Sequence, residues 1–411
     1  MESIKNKFSK QTLAIAVGAL GYFVDVYDLF IFSMVRQQSL RELSDSPSSL
    51  IQAGIELLNL QMAGVLLGGF FWGMISDRKG RVKVLFASIL IYSTANLLNA
   101  FVTHFYQYRI LRFIAGFGLA GELGIAVTWV SELLPSSRRG MGATLIASIG
   151  ICGGLFAALS TEFLSWRACF MLGALLGYGL LFLRFKVGEP KLYLSAQSER
   201  VLRGSLKQLF LRWSSLKRYF LLVFIGLPVW FVGGIIMVFA PEFAEQLGVG
   251  DSFRMSQCFM WSFAATALGD FSCGCLSQWL KSRRKVLCLS LIFVFWSILG
   301  LFAFGGRSIQ WFYGMIFLIS FGTGYWAVLV SFAAEQFGTN LRATVTTSVP
   351  NVVRGCVIPL TLVFQLISQH QSITQTVIGM NLAICLIALC SVLYLKETFT
   401  RDLNFLERNE S

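Results

Sequence analysis

Apolar segments close to bilayer-spanning length follow one another along the whole chain. A helix needs ~20 such residues to cross the hydrocarbon core. In lipid the backbone must satisfy its own polar groups, which leaves only helices or a closed barrel. Hydropathy and breaker residues predict twelve helices, at 11–35, 51–76, 83–102, 109–133, 140–163, 166–185, 217–240, 253–280, 286–305, 309–334, 343–369 and 373–396. Only 13% of the residues are charged, roughly half the share of a soluble domain. The bilayer is the chain's main solvent, and the expected class is an all-α integral membrane protein.

A net charge of +13 raises the question of nucleic acid. Its distribution answers it. With both termini on one side, that side collects 26 Lys and Arg against 6 on the other, and 9 of the 26 fall in 184–218. Positive charge marks the cytoplasmic face, so both termini are expected in the cytoplasm and no nucleic-acid partner is implied. Nine cysteines lie in or at the ends of apolar segments, far from a ligand-pair spacing, and His104 and His370 stand alone. Neither a metal nor another cofactor is expected, and no cluster of nucleophile and base suggests an enzyme. The opening MESIKNKFSK runs straight into a span, so no cleaved signal is expected.

Two internal echoes then appear. Gly73-Met-Ile-Ser-Asp77-Arg-Lys-Gly-Arg81 after helix 2 matches Gly274-Cys-Leu-Ser-Gln278-Trp-Leu-Lys-Ser-Arg283 after helix 8, at an offset of 201. Glu132…Arg139 after helix 4 matches Glu335…Arg342 after helix 10, at an offset of 203. Near-equal offsets in equivalent helices indicate a duplicated six-helix unit, an arrangement found in secondary transporters.

On these residues the chain resembles the major facilitator superfamily over essentially its whole length. GMISDRKGRVK is similar to the family's signature loop between helices 2 and 3, and GCLSQWLKSRR to its degenerate second copy. The segment from Arg112 to Gly140 resembles the fourth helix of the sugar and metabolite branches, and KETFTRDLNF their tail. GYFVDVYDLFIF resembles helix 1 of the phosphate:proton and metabolite:proton symporters, and Glu122 matches an acidic position there. Helix 7 lacks the acid of the phosphate symporters, and helix 5 lacks the Gly-Pro element of the drug antiporters. The resemblance implies two pseudo-symmetric six-helix bundles, 11–185 and 217–396, joined by a cytoplasmic loop at 186–216 and followed by a tail at 397–411. It also implies an inner gate built from Gly73, Asp77, Arg78, Gly80, Arg81, Glu132, Arg139, Glu335 and Arg342, where charges at helix ends lock the halves. Gly80 permits a tight turn.

Ionisable residues inside spans are costly and call for a partner or a purpose. Asp25 and Asp28 lie three residues apart on one face of helix 1. Two buried carboxylates this close repel when both are ionised, so one is expected to load and release a proton; the alternative is a helix cap or an arginine pair. Glu122, in a glycine-rich run, is a third coupling candidate, with a structural pair as the alternative. Arg112, on a similar face, either binds an anionic group or neutralises helix 1. On helix 11, Thr347, Asn351, Arg354, Thr361 and Gln365 form a polar stripe at helical period. A midplane arginine there suggests a carboxylate or phosphate ligand, or a fixed pair with Asp270 or Glu122. Asp270 stands on helix 8 as a substrate ligand or as the partner of Arg354. Trp230 and Tyr325 are candidate pocket walls.

The reading is a secondary active transporter: proton symport of a small organic anion or zwitterion by alternating access, in the inner membrane and working as a monomer. Phosphate, sugar or polyol uptake, proton-coupled export and a transporter-like nutrient sensor are the alternatives.

Overall fold

The computed structural model describes residues 2–43, 50–122, 124–126, 129–130, 136–184, 212–338 and 341–399. Apart from turns these residues are helical, and no strand occurs among them. In chain order they are α1 (Glu2–Leu43), α2 (Leu50–Lys79), α3 (Arg81–Asn99), α4 (Phe105–Leu119), α5 (Ser136–Phe163) and α6 (Trp166–Arg184) in the first half. The second half holds α7 (Trp213–Phe231), α8 (Met255–Trp279), α9 (Arg283–Phe304), α10 in two pieces (Ile309–Thr323 and Trp326–Gln336), α11 in two pieces (Arg342–Gly355 and Val357–Ser368) and α12 (Ile373–Tyr394). Most of the expected central loop, 185–211, and of the tail, 400–411, lies outside the described residues.

Ten of these helices are long and apolar enough to cross a membrane. The two that fall short are α4, which breaks after Leu119, and α8, whose Ser, Thr and Gln residues dilute its apolar run. Within the first half α1 packs on α5, α2 on α4 and α3 on α6; within the second, α8 and α9 pack on α10 and α7 on α12. Between the halves, α5 meets α8 and α2 meets α11. The result is the twelve-helix, two-bundle arrangement.

Duplication is visible at atomic scale. A Cβ on Gly68 of α2 would stand 2.4 Å from the Phe117 carbonyl oxygen of α4, and one on Gly269 of α8 would stand 2.2 Å from that of Phe321 in α10. Only glycine lets these backbones cross so closely. Just beyond each crossing the helix breaks, at Ala120–Glu122 and at Gly324–Tyr325, where the single helices 109–133 and 309–334 were expected. Gly121 and Gly324 stand at the same offset of 203 as the loop motifs. A broken helix leaves carbonyls and amides without partners. Trp72 Nε1 donates to the Phe117 carbonyl at 2.7 Å, and Asn351 Nδ2 donates to that of Ala120 at 2.8 Å. α7 has its own irregularity: it widens into a π turn at Val232–Ile236, a few residues after Pro228, and such turns favour functional positions.

Candidate functional site

A cavity of about 60 Å³ lies between the halves, lined among others by Tyr22, Phe30, Trp230, Phe263, Trp326 and Arg354. The wall is aromatic because α1, α7 and α8 each turn a ring inward. Phe30 stacks on Trp230 with centroids 5.7 Å apart and planes at 13°, and meets Phe263 edge-on at 4.9 Å. Flat rings of this kind favour a planar apolar guest.

Arg354 supplies the charge. It is buried, its Nη2 donates to Asp25 Oδ2 at 3.2 Å and its Nη1 to Asn351 Oδ1 at 3.4 Å. Its guanidinium carbon lies 5.6 Å from the Trp230 ring centroid, in cation–π range. Asp25 comes from the first half and Arg354 from the second, so the pair crosses the interface between bundles. Neither partner is saturated: Asp25 Oδ1 and Arg354 Nε have no hydrogen-bond partner. Asn351 is held by its bonds to the Ala120 and Thr347 carbonyls.

Asp28 is separate from this pair. It packs against Gly173 of α6, and both of its carboxylate oxygens lack a hydrogen-bond partner. Arg112 lies in its electrostatic field, donates to Asn96 at 2.8 Å and stacks over Phe170 at 4.6 Å. The expected neutralisation of helix 1 by Arg112 is therefore electrostatic, without direct contact. Glu122 has a direct partner, Arg184, at 2.8 and 3.2 Å, and accepts a third bond from Ser88 at 3.0 Å. Arg184 was counted with the loop cations; it is 2% exposed and belongs to the interior.

Asp270 does not neutralise Arg354. Its Oδ1 accepts from the Ala327 amide at 3.1 Å, so it caps the restart of α10 after the break. Tyr325 is fully buried, and its hydroxyl donates to the Ile225 carbonyl at 2.8 Å, tying α10 to α7; its neighbour Trp326 lines the cavity. Gln365 falls beyond the α11 break at Cys356 and lines a separate open groove of about 700 Å³ with Gln52, Glu56 and Asn59. Thus Arg354 and Trp230 meet at the central cavity, Asp25 and Asn351 bond to Arg354 beside it, and Tyr325 and Gln365 lie elsewhere.

The profile of the Major Facilitator Superfamily matches residues 18–355. The chain belongs to this superfamily. Its members include a candidate niacin/nicotinamide transporter, NiaP, of Bacillus subtilis (strain 168), 29% identical over 414 residues and covering 96% of this chain and 98% of its own. The niacin transporter NiaP of Acinetobacter baylyi is 33% identical over 187 residues, 44% of this chain and 42% of its own. The proton:xylose symporter XylE, solved with 6-bromo-6-deoxy-D-glucose, shares the fold with a TM-score of 0.75 at 14% identity, over 97% of this chain and 98% of that one. This chain is accordingly a multi-pass membrane transporter of small metabolites and not an enzyme.

The signature loop of the superfamily member can be followed in part. Gly80, at φ 109°, turns the chain from α2 into α3, a left-handed conformation that glycine takes at least cost. Arg81 donates to the Ser76 carbonyl at 2.8 Å. Gly73 packs on Thr344 and Thr347 of α11. In the second copy, Arg283 donates to Ser277 at 2.7 Å and pairs with Glu335 at 3.1 Å. Arg342 instead binds the last carbonyls of α10, those of Ala334 and Phe337. Glu397 of the tail accepts from the amides of Arg283 and Arg284 and from the Ser282 hydroxyl, while Thr398 reaches Glu335 at 2.6 Å. Burial would raise the Glu397 carboxyl, but these donors outweigh it and hold it below its ordinary value. Glu132 and the side chains of Asp77, Arg78 and Arg139 lie outside the described residues. The pairings of Arg184, Arg283 and Glu397 were not legible in the sequence, because each stands at a span end, where charge is ordinary.

Proposed function

We propose that this protein carries a small, planar carboxylate across the inner membrane together with protons, both termini lying in the cytoplasm and a monomer sufficing. The observation that carries this reading is the buried, unsaturated Asp25–Arg354 pair across the two halves, beside an aromatic cavity. A guanidinium binds carboxylates in bidentate fashion. A substrate carboxylate that takes Arg354 releases Asp25, which then needs a proton to remain buried without a counter-charge. Substrate and proton thus load together, and the halves separate only when both have reached or left the site. Asp28, buried without a salt bridge among the described residues, is the second proton carrier. The gate residues of the signature loop and its copy hold one face closed in alternation with the other. The relatives named for niacin support an aromatic carboxylate as the guest.

The test is ligand binding to purified protein in micelles. Arg354→Ala is expected to lose binding of aromatic carboxylates while remaining folded, and Asp25→Asn to bind at least as tightly as wild type, since the competitor for Arg354 is gone. Unchanged affinity in Arg354→Ala would reduce the pair to a structural tie.

A further inference from the structure

Of the four carboxylates that are 0% exposed among the described residues, Asp25, Asp28, Glu122 and Asp270, one has no basic side chain beside it. Asp25 is paired with Arg354, Glu122 with Arg184, and Asp28 lies in the field of Arg112. Asp270 is fully buried and, among the described residues, makes no salt bridge. Its Oδ1 is spent on the Ala327 amide, and its Oδ2 has no hydrogen-bond partner. An ionised carboxylate in such a place is costly unless a cation or a shared proton meets it.

Its position says where that cation would come from. Asp270 lies one turn along α8 from Thr266, which lines the cavity, and it caps the α10 segment that begins at Trp326, another lining residue. The cap on the Ala327 amide fixes the carboxylate's orientation, and the crossing of Gly269 against Phe321 and Gly324 holds α8 and α10 together at this point. Arg354, on the wall of the same cavity, offers a cation for a carboxylate. A cavity with an arginine on its wall and a spare carboxylate beside it is complementary to a guest carrying both charges.

From this juxtaposition we propose that Asp270 recognises a cationic nitrogen on the substrate, so that the transported class is a zwitterionic, nitrogen-containing carboxylate rather than a simple carboxylate. This rests on Arg354 holding the substrate's carboxylate, as proposed above, and deepens that reading. The cavity must widen for the guest to enter. Trp326 both lines the cavity and opens the α10 segment that Asp270 caps, so a shift of its ring on widening would bring guest and carboxylate within reach.

Two probes of nearly one shape separate the charge from the rest: the N-methyl betaine of pyridine-3-carboxylate, and 3-methylbenzoate, in which carbon replaces the cationic ring nitrogen. Binding to the full-length protein in micelles is measured by calorimetry. Wild type is expected to bind the betaine about tenfold or more tightly than the benzoate, by attraction between the fixed ring cation, which has no N–H to donate, and the Asp270 carboxylate. Asp270→Asn keeps an oxygen for the Ala327 amide, and in it the ratio is expected to fall to within about twofold, with benzoate affinity preserved as the control for folding. Equal affinities in wild type, a ratio retained in Asp270→Asn, or loss of both ligands in that variant would each overturn the charge-recognition role. If wild type binds neither probe nor any other carboxylate, the reading of Arg354 fails first. If it binds the benzoate but the betaine no better, only Asp270's role falls.

Discussion

At the scale of residues, the interior charges divide by how completely they are partnered. Glu122 is saturated by Arg184 and Ser88, which fits a pin between α3, α4 and α6 as well as a proton carrier. Breaking one side of such a buried pair costs about 3–5 kcal/mol, because the other charge is left stranded. Glu122→Gln is therefore expected to lower the melting temperature sharply, and adding Arg184→Gln to recover part of the loss. A Glu122→Gln protein as stable as wild type but unable to accumulate substrate would instead make Glu122 a coupling group. Asp28, which makes no salt bridge among the described residues and only faces Arg112 and Asn96, belongs to the other kind. Asp28→Asn is expected to fold normally, to exchange substrate across the membrane, and to fail at proton-driven accumulation; uptake assays with and without a pH gradient check this. These residues were legible in the sequence as charges in apolar spans. Their partners were not, because Arg184 sits in the last turn of α6, where a basic residue needs no interior role to be there.

At the scale of elements, the stripe on α11 shows what periodicity does and does not fix. Thr347, Asn351 and Arg354 share the face that meets α2 and the cavity, but the helix ends at Gly355 and restarts at Val357, and Gln365 emerges on a different groove. A stripe read at constant period cannot anticipate a break. The breaks in α4 and α10 were hidden for the same reason, since glycine runs in a membrane helix serve close packing as readily as interruption. The span order and the duplicated loops needed only hydropathy and repetition, and they were legible. At the α9 start, Glu397 collects amide and hydroxyl donors from 282–284. Its folded carboxyl titrates below the ordinary value of 4.5, so the stabilisation is present above that pH and is lost as pH falls through the folded value. Glu397→Gln should thus melt below wild type at neutral pH, with the gap closing in acid. A gap independent of pH would mean that the tail is held by Thr398 and Lys396 instead.

At the scale of the whole molecule, the two halves touch on both faces of the cavity. Toward the Gly80 turn, Asn351 bonds to Ala120, and Gly274 packs on Thr144. Toward the other face, Ser256 donates to Glu162. Contacts between the halves thus surround a cavity of about 60 Å³. Opening either side requires one set of these contacts to part. In the proposed mechanism the exchange on Arg354 links that motion to a proton gradient, and the direct test is substrate-dependent proton influx into proteoliposomes holding an internal pH dye. Aromatic and zwitterionic carboxylates should acidify the lumen, polyols and phosphate should not, and Asp25→Asn should abolish the acidification. Tracer uptake of a carboxylate without acidification would contradict proton symport and return Asp25 to a structural role.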